Sequence, residues 1–447
     1  MHKMIEAEDL FNHLLPAIRN FCERLTVEEK MPMPFNEIDA RIRREVLRLG
    51  EDVAGVMLTQ VGPSLRARER APACAMCKTT MTFKQMRPME LRTCLTGVPQ
   101  TVQSPYWQCR DCHRGEMGLR LLMNLQRDGM TQELRELAAI AGANAPFGEA
   151  SEKLLGRMAG LTMSADKVHG ICQETGNALM PKMEAGQLGE ARQLRKNEVL
   201  YVLGDGGMLQ HDGGWKEAKL FIVFPSTSRA EVSRERRQLT ERQVIATMKS
   251  ADKCGPMLWE VVRKWLPKDQ HGNEIIKGNV VFLSDGSEWL NGLCEEWLPG
   301  ARKILDWYHV SEHVAETARV LFAAETDDGE AFDWREHKME LLRTGAVSEV
   351  LGELLIETNR PGVGAEGKEK LLNVHGYLMK RRAQIDYPAA RSRGLDIGSG
   401  VIESGVGHVM QQRMKRSGIR WSHAGSPPML ALRAAWRCEP GIALRAA

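Results

Sequence analysis

The amino-acid sequence predicts a multidomain α/β protein, and three observations carry that prediction. Between residues 197 and 315, short apolar runs of strand length alternate with helical periodicities, the pattern of a sheet joined by helices. Two C-x-x-C pairs punctuate a threonine- and valine-rich stretch from 72 to 115, the pattern of a metal-binding ribbon. Helical spacing alone governs the first part of the chain and a long interval late in it. A chain of 447 residues also exceeds one compact core and suits roughly two to four folding units.

In chain order, residues 1–70 are expected to form a helical arm, because Leu10, Phe11, Leu14, Leu15, Ile18 and Phe21 recur at helix spacing and a second periodic run covers Ile38 to Leu58. The ribbon follows at 72–115. Residues 125–185 read as short helices broken by glycine turns, and ASEKLLGRMAGLTMSADKVHGICQETG fits a helix-turn-helix with Thr162 or Ser164 capping its second helix. The core's first part, 197–315, opens with VLYVLGDGGML and KLFIVFPSTS as paired strands joined by His211 to Trp215. Downstream, VIATMKSADKCGPMLWEVVRKWL reads as a helix, NVVFLSDG as a buried strand, SEWLNGLCEEWLP as a helix and ARKILDWYHV as another strand. Residues 316–395 read as an all-helical insertion, and 396–447 return to the core with a helix from about Val401 to Arg416 and a C-terminal tail.

With 43% apolar and 27% charged residues, the composition is that of a globular chain rather than a disordered one. No apolar run reaches membrane-spanning length, and the start lacks the features of a secretory signal, so a cytoplasmic protein is expected. A net charge of only +3 leaves any polyanion binding to local clusters. Such clusters occur at Arg234, Arg236 and Arg237 and at Arg413, Lys415, Arg416 and Arg420. Both are candidate DNA-binding groups, although SRERRQ also reads as a solvated loop or helix face.

In a reducing compartment, paired cysteines point to metal before disulfides. Cys74, Cys77, Cys109 and Cys112 can each offer a thiolate to one tetrahedral, structural Zn²⁺, with Cys94 and His113 as possible substitutes.

Three acids are set apart by position. Asp205 ends one predicted strand and Asp285 another, the places where functional groups collect in open α/β sheets. Asp-Gly is also ordinary turn chemistry. Glu403 falls in the first turn of a helix leading into a basic cluster, where it serves either the helix dipole or a metal beside a phosphate-binding surface. Hard oxygen donors of this kind suit Mg²⁺ or Mn²⁺.

The strings ILDWYHVSEH, GSGVIESGVGHVMQQRMKRSGIRWS and LALRA resemble the ISKra-type insertion-sequence transposases, a DDE family related more loosely to the Mutator-like elements; the similarity runs from about residue 70 onward. The resemblance implies an RNase H-like mixed sheet interrupted by the helical insertion, with Asp205, Asp285 and Glu403 as the catalytic acids holding Mg²⁺ or Mn²⁺. It implies a bacterial, nucleoid-associated DNA transposase that cuts transposon ends and transfers the 3′-hydroxyl to target DNA. A homo-oligomer, dimer or larger, follows from the need to bring two ends together. In Mutator-like relatives a Cys/Asp-x-x-His pair lies beside the active site. Asp306 and His309 have that spacing and take a support role, with Asp306 competing with Asp285 as a metal ligand and a buried strand end as the plain alternative. Two other readings remain: a catalytically silent DNA-binding regulator derived from a transposase, and an RNase H-like nuclease without strand transfer.

Overall fold

The computed structural model describes residues 7–26, 35–67, 71–122, 125–233, 236–322 and 329–438. It is a mixed α/β structure that divides into two compact units, one ending at Glu174 and the other beginning at Thr175.

In the first unit, helices α1 (Ala7–Leu25) and α2 (Phe35–Ala67) pack together, and Arg24 donates to Glu45 across them at 2.5 Å. Strands β1 (Thr82–Leu91) and β2 (Gln100–Gln108) form an antiparallel hairpin, extended by β3 (Gly115–Met117) and followed by the short α3 (Gly118–Leu122). The hairpin's connection is tied to the arm by one buried acid. Glu51 on α2 accepts from the Thr93 hydroxyl, the Thr96 hydroxyl and the Thr96 amide, each at 2.8 Å. Next come α4 (Gln132–Asn144), α5 (Phe147–Glu149) running on as a π-helix over Ala150–Ala159, and the first half of α6 (Ala165–Glu184), whose residues from Thr175 belong to the second unit. Ser164, not Thr162, caps α6: its hydroxyl accepts the Lys167 amide at 3.3 Å.

The second unit is built on a five-stranded sheet of β4 (Leu200–His211), β5 (Gly214–Pro225), β8 (Gln243–Thr247), β9 (Val280–Ser284) and β10 (Arg302–Leu305). Its order is β10-β9-β4-β5-β8. β4, β5 and β8 are antiparallel neighbours, whereas β9 and β10 run parallel to β4. Between β5 and β8 lies a separate antiparallel pair, β6 (Arg229–Ser233) and β7 (Arg236–Leu239). Helices α7 (Ala251–Val262) and α8 (Glu288–Trp297) pack on each other, and α7 packs on β5 and β8. After β10 the described elements up to residue 392 are helical: α9 (Trp307–Leu321), α10 (Gly329–Thr344), α11 (Val347–Glu357), α12 (Ala365–Lys380) and α13 (Tyr387–Ser392). The last segment holds α14 (Gly400–Val406), a π-turn over Gly407–Gln411, α15 (Gln412–Met414) and α16 (Ser426–Trp436). Among the described residues no helix is long and apolar enough to cross a membrane.

Three local expectations are corrected. The run beginning VIAT is not all helix: Gln243–Thr247 is a wholly buried strand, and the helix starts at Ala251. Four β-branched and small residues between polar neighbours are too few for periodicity to separate strand from helix. ARKILDWYHV is a strand only to Leu305, because Asp306 caps a helix there. The region of SRERRQ is a β-hairpin rather than a loop or helix face: Arg236 and Arg237 lie on β7, and Arg234 lies outside the described residues.

Candidate functional site

Two glycines decide how the Glu403 helix meets the sheet. Strand alternation points Gly204 toward Leu290 of α8, and Asp205 and Gly207 toward the opposite face. A Cβ on Gly207 would lie 2.7 Å from the Met410 sulfur, and one on Gly405 would lie 2.4 Å from Ile222 Cδ1. At both positions the missing Cβ leaves room for these side chains where α14 and its π-turn lie on β4 and β5. That close approach brings Glu403, in the first turn of α14, to the face carrying Asp205.

Asp205 does not end its strand as expected but lies part-buried inside β4, paired with Leu220 and two residues past the last that pairs with β9, and its Oδ1 accepts the Gly206 amide at 2.6 Å; the glycines after it continue the β4–β5 ladder instead of turning. Asp285 follows β9 directly, its Oδ1 accepting the Ser287 amide at 2.8 Å and its carbonyl accepting the Tyr377 hydroxyl at 2.8 Å. Burial pushes the Asp205 carboxyl up to about 6, and the charges of Asp285 and Glu403 push it the same way, whereas His309 opposes them. The three acids, from distant stretches of chain, thus share one electrostatic environment with His309 beside it.

Asp306 does something different from its neighbours. It is buried at 3% exposure, and its carboxylate accepts four hydrogen bonds. These come from the amides of Tyr308 (3.3 Å), His309 (3.2 Å) and Ser399 (2.8 Å), and from the Ser399 hydroxyl (2.6 Å). A carboxylate so occupied is a cap and a clamp: it starts α9, which carries His309, and fixes the residue before α14, which carries Glu403. With four donors on its two oxygens, Asp306 differs from Asp285, whose carboxylate accepts the Ser287 amide. The strand-end alternative is corrected, since His309 stands in the first turn of a helix.

Several participants escaped the sequence reading. Ser399 lies 3.2 Å from Glu403 Oε1 as well as touching Asp306. Its position just ahead of the Glu403 helix is an N-cap signal that could have found it. Tyr377 packs against His313, and Arg381 stacks over Tyr377 while donating to the Gly286 carbonyl at 2.7 Å. No sequence signal links Tyr377 of α12 and Arg381 just after it to the Asp285 loop. Of the basic cluster behind Glu403, Lys415, Arg416 and Arg420 are exposed. Arg413 is 2% exposed and stacked over Trp421, which corrects its assignment to a phosphate contact. α15 ends at Met414, so Lys415, Arg416 and Arg420 lie beyond the helix whereas Arg413 sits on its inner face, and spacing alone did not say where the helix stopped or which face was inside.

In the first unit, Cys74, Cys77, Cys109 and Cys112 bring their sulfurs within 4.8 Å of one another, a group that could hold a metal ion such as zinc. The two knuckles match: Lys78 and His113, each following a second cysteine, have φ of 60° and 55°. In each, the first cysteine's amide donates back across the turn, Cys74 to Thr79 and Cys109 to Arg114. Backbone amides of Cys77 and Met76 lower the Cys74 thiol to about 6, while its crowded neighbours, Cys112 first, raise Cys77 to about 12. Cys94 and His113 stand outside the group. Among the described residues only these four cysteines gather so closely, so Asp205, Asp285 and Glu403 interact through space as a looser set.

No curated protein matches the chain. Residues 28–447 match the family model described as Uncharacterised protein family (UPF0236), and the chain belongs to that family.

Proposed function

We propose that this protein is a DDE-type DNA transposase of the ISKra-like kind, cutting a strand at each transposon end and joining the freed 3′-hydroxyl to target DNA. The observation that carries the reading is the convergence of Asp205, Asp285 and Glu403, with the Asp205 carboxyl raised to about 6 by burial and by the other two acids. Such crowding costs stability unless a cation neutralises it, which makes it a mark of function rather than of packing. The sheet supports the same reading. Three antiparallel strands in sequence followed by two parallel ones, broken by a helical insertion before the Glu403 helix, suit an RNase H-like core.

The donor set fits Mg²⁺ or Mn²⁺, because all three groups are hard oxygens. When bound, such ions lower the pKa of an attacking water or hydroxyl and stabilise charge at the phosphorus. The chain's own residues supply the rest. Asp205 on β4 and Asp285 on the loop after β9 hold fixed positions, Glu403 closes the site from the helix, and Asp306 ties the start of α9 to the residue before α14. Lys415, Arg416 and Arg420 would hold the DNA backbone next to Glu403. The four cysteines would hold a structural Zn²⁺ with no open coordination position, and α4 to α6 would serve as the helix-turn-helix that reads the element end. The active form would be a dimer or larger, working on bacterial DNA in the cytoplasm.

The test is incubation of the purified protein with labelled element ends and Mg²⁺, resolved for cleaved and joined products. Joined products support the reading, cleavage alone reduces it to a nuclease, and binding without either leaves a DNA-binding regulator.

A further inference from the structure

We propose that a groove on the second unit, separate from the acids, is a track for one strand of DNA held through its phosphates; the inference rests on the DNA reading above. The groove has a volume of about 980 Å³ and is bounded by the start of β9, β10, helix α8 and the segment after α12. β10 is an edge strand of the sheet, so the groove is open along one side.

Charge is the first argument. Six basic residues line the groove against three acids. Lys303 and Lys380 are paired with Glu295 and Glu288, at 2.6 and 3.8 Å, and Asp386 caps α13 by accepting the Ala389 amide. Lys277, Arg302 and Arg393 are exposed, and among the described residues no carboxylate lies within 4.0 Å of them. The groove's surplus of positive charge is as large as the +3 of the entire chain. Positive charge is therefore concentrated here, and a partner of opposite charge is the fitting occupant.

Size and lining choose among polyanions. The volume lies at the upper end for a small-molecule pocket and is too small for a duplex, whose major groove alone is about 12 Å wide. None of the lining residues is aromatic, so bases have no stacking platform and the grip falls on the phosphates, without sequence preference. The groove also leads somewhere. Arg381 lines it and donates Nε to the carbonyl of Gly286, the residue after Asp285, so a strand lying in the groove ends beside the catalytic loop.

The experiment measures binding of a labelled single-stranded oligonucleotide to the full-length protein, without added divalent metal, over a range of salt. The triple variant Lys277→Glu/Arg302→Glu/Arg393→Glu should weaken single-strand binding about tenfold or more and flatten the salt dependence by about 2 in log–log slope, the value for three lost phosphates. Binding of duplex element ends should be unchanged. The triple glutamine variant should show a smaller loss in the same direction with an unaltered melting curve, which separates lost charge from lost fold. Wild-type single-strand affinity in both variants overturns the proposal. So does displacement of the oligonucleotide by polyglutamate at equal charge, which would make an acidic peptide the occupant. A wild-type protein that binds strands through these residues but never cleaves would overturn the active-site reading alone. One that cleaves, with groove variants binding strands normally, would overturn the groove alone.

Discussion

The four-cysteine group and the three acids are opposite ways to build a charged site. The cysteines lie in two pairs on adjoining turns, each pair preset by its own knuckle, and their sulfurs come within 4.8 Å with no help from distant packing. The acids come from a strand, a loop and a helix far apart in sequence, and they share one environment through the packing of α14 on the sheet, which Gly207 and Gly405 ease. A locally encoded site holds itself; a site encoded by topology depends on everything between its parts. The first should fail with its metal, and the second should fail by degrees as its supports are removed.

The largest effect is therefore expected at the cysteines. Structural zinc sites of this type contribute on the order of 10 kcal/mol of apparent binding energy to folding. Cys109→Ser should lose the zinc found in wild type by elemental analysis, and the amides of β1 and β2 should lose protection from hydrogen exchange while those of β4 and β9 keep theirs. Full exchange protection in a zinc-free protein would make the cluster a redox or incidental group instead.

At the acids, activity and stability should move in opposite directions. Asp205→Asn should lower cleavage and joining by about three orders of magnitude or more while leaving DNA binding intact. In the wild type the folded carboxyl titrates near 6 against an ordinary value of 3.8, so the native state holds the proton more tightly than the unfolded one. Ionising it costs stability as pH rises from 3.8 to 6, and that cost persists above. Without divalent metal, Asp205→Asn should thus be more stable than wild type by about 2 kcal/mol at pH 7 to 8, allowing for partial exposure, and equal to it below about pH 4. Denaturant melts at both pH values read this directly. A variant equally stable at every pH would mean that neither burial nor the neighbouring acids hold the Asp205 carboxyl above its ordinary value.

How much of this was legible in the sequence follows the same division. The C-x-x-C spacing picked out the four cysteines that gather, without any fold. Asp285 was legible because an apolar run ending in Asp-Gly marks a strand end, and Glu403 because a first-turn acid precedes a basic run; Asp205 was singled out by the same pattern, yet β4 runs on through it to His211. What spacing could not give was direction. Arg413 sits in the same cluster as Lys415 and Arg416 yet points into the core against Trp421. Asp306 continues an apolar run that reads as strand, but its short side chain captures the next helix's amides and turns the chain. Tyr377 and Arg381 reach the Asp285 loop only through the packing of α12, which no local pattern encodes.

Glu198 is the structural counterpart of Asp205, seven residues earlier and shifted the other way. It is buried at 4% exposure and accepts two hydrogen bonds from Arg192, at 2.7 and 2.9 Å, with further donors from the Arg195 amide and the Thr227 hydroxyl. Arg192 first, and these donors after it, hold its carboxyl down at about 2, below the ordinary 4.5. Its contribution is fully present above pH 4.5 and is lost as pH falls toward 2. Glu198→Gln should destabilise the protein by about 2 kcal/mol at pH 7, a figure below that of a fully buried pair because Arg192 keeps some exposure. The gap between variant and wild type should close in acid. A gap that stayed constant down to pH 2 would assign the effect to packing instead of charge.

The smallest effect is expected at Ser399, and it tests whether the looser site is adjustable. One hydroxyl proton faces two carboxylates, Asp306 at 2.6 Å and Glu403 at 3.2 Å, and the shorter contact takes it. Ser399→Ala leaves the Asp306 clamp its three amide donors, so the fold should survive, but it removes the group that stands between the clamp and Glu403. Glu403 then samples more rotamers, and ordering it becomes a cost of metal binding. Calorimetry with Mn²⁺ should show binding weakened several-fold, with cleavage at saturating Mn²⁺ lowered no more than about tenfold. Ser399→Thr, which keeps the hydroxyl, should recover wild-type Mn²⁺ affinity. If Ser399→Ala bound Mn²⁺ like the wild type, Glu403 would be positioned by the glycine-permitted packing of α14 alone, and the serine would serve only the start of the helix.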